Sequence, residues 1–238
     1  MRRLFCLLAA VFVLVSLTAC REDDKKTDIG SEVPSDYMST SCSKDGVKEF
    51  IALIGEKDLG GLSTGMKTDE AHCYNVTPPS VARCTDIKIF KFSDSCLSLA
   101  LIDNEAYGIC QSFGGHGFVN AVPWDYDEDG NLDLLIASSW GSGLHRSEIS
   151  VFNTKTKESI VIYDTARTDN PSVDLIVAAV SPAFSSIDPG NPPIYYKVYS
   201  ANITVKDDNS ADLSYEATGV VGTVVAENGT PVFKPAGK

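Results

Sequence analysis

Positive charge is scarce in this chain of 238 residues. It has 20 lysine and arginine residues against 32 aspartate and glutamate residues, and its formal net charge at pH 7 is −12. Such a surface would repel nucleic acid phosphates and anionic lipid headgroups alike. The composition therefore argues against nucleic-acid partners and against electrostatic docking on a membrane. It is compatible with cation binding, although a solvated acidic surface is the more common explanation.

Two enzyme signatures and one kind of metal site are also missing. The sequence contains no HExxH metalloprotease motif and no P-loop. None of its seven cysteines are paired at the CxxC spacing of thiolate zinc sites. These classes therefore have no direct support in the sequence.

The N-terminal apolar run, residues 4–17, is shorter than the roughly 20 residues that a membrane-spanning helix needs. It follows Met1-Arg2-Arg3 and leads into Leu17-Thr18-Ala19-Cys20. A basic start, a short apolar core and small residues before a cleavage point are typical of a secretory signal, which is removed.

The tetrapeptide LTAC resembles the lipobox of bacterial lipoproteins. The resemblance implies a mature chain that begins at Cys20, carries acyl chains on its sulfur and its nitrogen, and is anchored to the lipid bilayer. It predicts a signal peptide over 1–19, a lipidated cysteine and flexible tether over 20–36, and a single domain over 37–238. The expected location is the bacterial cell envelope, on the outer-membrane or periplasmic face in a Gram-negative cell. A plain signal peptide with an incidental cysteine is the alternative.

Hydrophobic periodicity predicts a mainly β domain of antiparallel sheets, with one short N-terminal helix besides the signal helix. Val47, Phe50, Ile51 and Ile54 have helical spacing. The rest reads as strands: 86–92, a hairpin of 148–153 with 158–165, a buried strand at 173–180, and long strands at 195–205 and 213–226. A hairpin turn is predicted at 227–230 and an irregular loop at 181–193, which holds four prolines.

Five cysteines fall in the first half of the predicted domain: Cys42, Cys73, Cys84, Cys96 and Cys110. Outside the cytoplasm such a group favours disulfides. Asp103-Asn104 is a turn signal midway between Cys96 and Cys110, so these two are the preferred pair. Cys73–Cys84 is a second, weaker candidate, and the odd count leaves one thiol free.

The stretch DYDEDGNLD, residues 125–133, is the strongest site signal. Aspartates stand at positions 1, 3, 5 and 9 and a glycine at position 6: Asp125, Asp127, Asp129, Asp133 and Gly130. Convergent carboxylates, with the Asn131 carbonyl at position 7, suit one Ca²⁺ ion, whereas Mg²⁺ prefers fewer protein ligands. Position 12 is Ile136 instead of the glutamate of an EF-hand, and Glu128 is expected to face solvent. An acidic surface turn without an ion is the alternative.

Residues 113–153 resemble an FG-GAP or VCBS repeat, the β-propeller blade unit of many surface proteins. Phe113-Gly114 stands at the head, followed by a spacer, the acidic loop and an apolar strand. The resemblance implies calcium ligands at Asp125, Asp127, Asp129, Asn131 and Asp133. No second complete motif exists, so a small propeller, a propeller fragment and a β-sandwich with one blade-like unit all remain open.

His116 and His145, with Arg146, lie among glycines on either side of the acidic loop in the sequence. One hypothesis is that His145 and Arg146 brace the loop or strand-end carbonyls. Another is that both histidines join a loop aspartate around a metal, as in a metal-dependent envelope hydrolase. The leading hypothesis for the whole chain is a non-enzymatic, calcium-stabilised lipoprotein that binds an unidentified envelope partner.

Overall fold

A computed structural model describes residues 33, 35–40, 42–55, 68–111, 113–180 and 195–237. Its strands form three antiparallel sheets, each of four consecutive strands. The first sheet holds β1 (Cys73–Asn75), β2 (Lys88–Phe92), β3 (Ser98–Ile102) and β4 (Glu105–Gly108). The second holds β5 (Gly117–Trp124), β6 (Asp133–Trp140), β7 (Arg146–Asn153) and β8 (Glu158–Asp164). The third holds β9 (Asp174–Val180), β10 (Tyr195–Lys206), β11 (Asn209–Glu227) and β12 (Thr230–Pro235). The predicted antiparallel β class is confirmed.

In each of three hairpins, both residues of the turn have positive φ. The turn pairs are Asp103-Asn104 between β3 and β4, Asp207-Asp208 between β10 and β11, and Asn228-Gly229 between β11 and β12. Asn, Asp and Gly tolerate this left-handed backbone, which matches the twist of the flanking strands. The short polar side chains at these positions are therefore what fixes where the strands reverse.

The described residues include two short α-helices, one packed on the first sheet and one packed on β5 of the second. The predicted helix is confirmed as α1 (Val47–Gly55), which buries Val47, Phe50 and Ile54. A second helix, α2 (Pro79–Cys84), is missing from the prediction of a single helix. It begins with Pro79 in its first turn, where proline's fixed φ suits a helix and its missing N–H costs nothing.

The hydrophobic core consists of three clusters that follow the order of the sheets. One cluster joins α1 to the first sheet through Phe50, Phe90 and Leu99. A second joins the first sheet to the second, and the third joins the second sheet to the third. Asn120 of β5 reinforces this last junction, because its amide donates to the Val177 carbonyl at 2.8 Å and accepts from the Val177 N–H at 3.0 Å.

Lys91 ties all three sheets together. It is fully buried in β2 of the first sheet, and its ammonium donates to the carbonyls of Phe118 in β5 and Ser210 in β11. Burial disfavours the charged form and lowers the pKa of Lys91 to about 8. The two carbonyls account for how a lysine is accommodated in this position.

The N-terminal segment enters the fold earlier than predicted. Val33 is 5 % exposed and packs in the cluster between the second and third sheets, and Ser35–Tyr37 form a turn of 3₁₀ helix. At least Val33, within the predicted tether over 20–36, is therefore packed in the domain. The polar composition of this segment gave no signal that Val33 is buried. The signal peptide, Cys20 and the predicted loop at 181–193 lie outside the described residues.

Neither predicted disulfide is formed, since all five cysteines of the described residues are free thiols. The pairing of β3 with β4 ends where Leu99 lies opposite Gly108. Cys96 precedes β3 and Cys110 follows β4, so both lie beyond the paired residues and the hairpin register does not set them opposite each other.

The second pair is separated by the helix that the sequence prediction missed. Cys73 is buried in the α1 cluster, whereas Cys84 is exposed at the end of α2. Burial raises the pKa values of Cys73 and Cys110 to about 12, so both are neutral thiols at pH 7.

Candidate functional site

The acidic loop connects β5 to β6 at one end of the second sheet. Trp124 and Asp133, the residues on either side of it, are paired across the two strands. Within the loop, Glu128 and Gly130 have positive φ values of 57° and 86°, so the chain turns sharply. Glu128 is exposed, as predicted.

Three of the predicted ligands converge. Carboxylate oxygens of Asp125, Asp127 and Asp129 lie within 4.8 Å of one another, a group that could hold a metal ion. Backbone N–H groups hold them in place: that of Asp129 donates to Asp125 at 3.1 Å and to Asp127 at 3.3 Å, and that of Gly130 donates to Asp125 at 3.1 Å. The loop backbone thus arranges the carboxylates and offsets part of their repulsion.

Asp129 has two further partners. Asn131 donates to it from both its backbone N–H, at 2.8 Å, and its side-chain amide, at 2.9 Å. The ammonium of Lys155 lies 3.0 Å from its other oxygen. These groups, the Asn131 backbone N–H first, lower the pKa of Asp129. Asn131 thus acts on the loop through its amide groups, and the coordinating role of its carbonyl stays a prediction.

Asp133, the fourth predicted ligand, lies outside the group of three. It is 1 % exposed, and its Oδ1 accepts hydrogen bonds from the backbone N–H of Thr154 at 2.8 Å and its hydroxyl at 3.3 Å. Its Oδ2 is buried and has no hydrogen-bond partner among the described residues. Burial, with Asp127 and Asp129 adding to it, raises the pKa of Asp133 to about 6. A buried carboxylate oxygen without a partner is costly, and a neighbouring cation would relieve that cost.

The turn between β7 and β8 supports the acidic loop. Asn153 donates to Asp127 at 3.2 Å and to the Tyr126 hydroxyl at 3.1 Å, while its carbonyl oxygen accepts from the N–H groups of Lys155 and Thr156. Asn153, Thr154 and Lys155 were missed in the sequence as parts of the site. Their one local signal is an asparagine at a strand end, which commonly caps a turn in this way.

His116 and His145 come together at the other end of the second sheet. Their ring centroids are 4.9 Å apart, edge to face. Gly117 pairs with Ser139 and Trp124 with Asp133, so the length of β5, roughly 24 Å, separates the histidines from the acidic loop. The expectation that His145 and Arg146 brace this loop, and that the histidines share a metal with a loop aspartate, is therefore wrong. Lys155 has the bracing role.

The carboxylate that joins the two histidines is Asp174, the first residue of β9, which the sequence reasoning missed. Burial lowers the pKa of His116 to about 4, with His145 and Lys91 contributing, so this imidazole is neutral at pH 7. Arg146 lies over the ring of Trp140, with its guanidinium carbon 5.2 Å from the ring centroid.

Comparison with protein-family models, with curated proteins and with solved structures finds no match to this chain. The lipobox and FG-GAP resemblances therefore stay predictions, and the geometry of the site carries the functional argument.

Proposed function

We propose that this chain is a lipid-anchored protein of the bacterial envelope whose β domain binds Ca²⁺ in the acidic loop and acts as a non-enzymatic binding module. One observation carries the proposal. Three carboxylates converge within 4.8 Å beside Asp133, whose buried Oδ2 has no hydrogen-bond partner among the described residues.

Ca²⁺ suits this loop better than a smaller or softer ion. All the candidate donors are oxygens, and Ca²⁺ takes 6–8 oxygen ligands in flexible geometry. Mg²⁺ keeps several of its waters and rarely uses so many carboxylates, while zinc prefers nitrogen and sulfur. An exposed acidic turn neutralised by Lys155 alone is the competing explanation, but it leaves the Asp133 oxygen unsatisfied.

The second sheet also supports the blade-like interpretation. Within residues 113–153, the chain runs through β5, the acidic loop, β6 and β7 in antiparallel order, as the FG-GAP resemblance implies. The first and third sheets have the same consecutive four-stranded topology. We interpret the three sheets as propeller-like blades, a framework that commonly serves as a binding scaffold.

A cleft beside the acidic loop is the proposed place for a partner. Its volume is about 360 Å³, and one wall is formed by Gly130, Asn131 and Leu132 of the loop. Asp103 and Lys157, whose charged groups lie 3.8 Å apart, also line it, so the cleft presents charges of both signs. A bound calcium ion would hold this wall in one conformation and thereby couple calcium binding to partner binding.

The lipid anchor is supported by the N-terminal sequence. The basic start, the apolar run and LTAC occur in the order of a lipoprotein signal. Among the residues that the structure describes, no helix is long and apolar enough to cross a membrane.

The metal-dependent hydrolase is the second candidate, but its catalytic metal could not sit at the acidic loop. The grouping of His116 and His145 with Asp174 is the observation that favours it. A Gly-x-Ser-x-Gly pattern at residues 61–65 has the spacing of a serine-hydrolase nucleophile, which is a different chemistry from metal-dependent hydrolysis, and it lies outside the described residues.

Membrane fractionation tests the anchor. Cys20→Ala should move the processed protein from the membrane fraction to the soluble envelope fraction, whereas wild type stays with membranes. Mass spectrometry of the N-terminus must show that the signal was removed. A cleaved variant that remains in the membrane fraction would contradict lipid anchoring.

Thermal unfolding tests the calcium-stabilised domain. EDTA should lower the Tm of the wild type and Ca²⁺ should restore it better than Mg²⁺, because an ion that binds only the folded state stabilises it by about 2.7 kcal/mol at a hundredfold excess over Kd. Asp127→Ala should remove this response and the matched variant Glu128→Ala should keep it. A wild-type Tm that EDTA does not change would contradict the proposal.

A further inference from the structure

Two glycine-bearing loops meet at the end of the second sheet that lies away from the acidic loop. Gly114 and Gly141 form a β-bridge, and the Gly141 N–H donates to the Phe113 carbonyl at 2.7 Å. A Cβ on Gly114, whose φ is +66°, would lie 2.2 Å from the Gly141 carbonyl oxygen. Only glycine permits this approach, so the two loops are held in a fixed relation to each other.

That approach brings three metal-ligating side chains together from distant parts of the chain. His116 precedes β5, His145 precedes β7, and Asp174 begins β9 in the neighbouring sheet. One ligand atom from each lies within 4.8 Å of the other two.

Asp174 supplies a second observation. Its Oδ1 is buried and has no hydrogen-bond partner among the described residues. Removing a carboxylate oxygen from water without giving it a partner is costly, so this oxygen is placed to accept a proton donor or a cation. The two imidazoles beside it make a metal cation the better match.

We propose that His116, His145 and Asp174 form a binding site for one divalent transition-metal ion of the zinc type. Two imidazole nitrogens and a carboxylate oxygen are donors that Zn²⁺ favours and that Ca²⁺ does not. Zinc bonds of about 2.0–2.1 Å in tetrahedral geometry set ligand atoms roughly 3.4 Å apart, which small side-chain rotations would reach. His145 is exposed, so the group can take up an ion from solvent.

This site is independent of the calcium proposal. The two groups occupy opposite ends of β5 and share no residue, and their donors select different metals. Loss of one site should therefore leave the other intact.

The test is calorimetric titration of ZnCl₂ into the full chain, first stripped of metals and then saturated with Ca²⁺. Wild type should bind one equivalent. Loss of an outer partner of a metal ligand already weakens affinity 10–100-fold, so His145→Ala and Asp174→Asn should each weaken it by about 100-fold or more. His72→Ala is the matched control, because His72 pairs with Asp69 at the surface, away from this group, and should leave zinc binding unchanged.

Two further measurements keep the test decisive. Metal-free melting curves of each variant separate lost ligation from lost folding. If Asp174→Asn is unstable, the His145→Ala variant provides the test, because His145 is exposed. Co²⁺ in place of Zn²⁺ should give d–d absorption without the charge-transfer band of thiolate ligation. A wild type that binds no zinc, or folded His145→Ala that binds it like wild type, would overturn the proposal, as would a thiolate band. Asp127→Ala should retain zinc binding even if the calcium proposal fails.

Discussion

Replacing Asp133 by asparagine should stabilise the calcium-free protein. It should also reduce the stability that the protein gains when Ca²⁺ binds. In the structure, this buried carboxyl group satisfies one oxygen through Thr154 and leaves the other without a partner among the described residues. Asparagine keeps the shape and the acceptor for Thr154 but carries no charge. Its amide can donate toward Asp127 and Asp129, which lie close enough to raise the pKa of Asp133.

The magnitude follows from that pKa. The folded value of about 6 stands above the ordinary value of 3.8, and each unit corresponds to about 1.4 kcal/mol. Because the folded state binds more protons than the unfolded state between these two values, this group's contribution is full below pH 4 and is lost as the pH rises through 6. The full shift would amount to about 3 kcal/mol, and screening by the exposed loop reduces it to about 1 to 3 kcal/mol.

Urea unfolding in EDTA at pH 4.0 and pH 7.5 measures this effect. The free energy of unfolding should be higher for Asp133→Asn than for the wild type at pH 7.5. That difference should be about 1 to 3 kcal/mol larger at pH 7.5 than at pH 4.0. With Ca²⁺ present, the wild type should be the more stable of the two, because the variant has lost a charge that attracts the ion. Glu128→Gln removes one charge from the same loop without touching the buried site and should show neither effect. Equal differences at both pH values, together with equal calcium gains, would refute the assignment of Asp133.

Two other predictions concern the loop's counterion and the thiols. Lys155→Gln should tighten calcium binding several-fold in titrations at low salt, since the ammonium at 3.0 Å from Asp129 competes with the ion; an unchanged or weaker affinity would contradict that competition. In the native state, a thiol reagent should label the exposed Cys84 well before Cys73 and Cys110, whose burial raises their pKa values to about 12; equal labelling rates by mass spectrometry would contradict the buried placement.

Local sequence signals predicted the elements of this fold well. Helical spacing located α1, and Asp, Asn and Gly pairs located hairpin turns, because both depend on residues a few positions apart. The acidic loop belongs to the same class. Alternate aspartates with a glycine at position 6 determine most of its geometry within nine residues.

Contacts between sheets were beyond local reasoning. Asp174 lies beside His116 and His145 because the third sheet packs against the second. The sequence of the strand at 173–180 has no local pattern that predicts this contact. The disulfide prediction failed for a smaller reason. The turn was predicted correctly, but the strand pairing ends at Leu99 and Gly108, so it does not bring together the two cysteines that lie beyond it.

The most direct test of the central claim is isothermal titration of Ca²⁺ into the metal-stripped protein. We predict one site for the wild type, no detectable binding for Asp127→Asn, and wild-type binding for Glu128→Gln. Calcium should also bind more tightly than Mg²⁺ in the same buffer. A wild type that shows no calcium site, or an Asp127→Asn variant that binds as tightly as the wild type, would contradict the account.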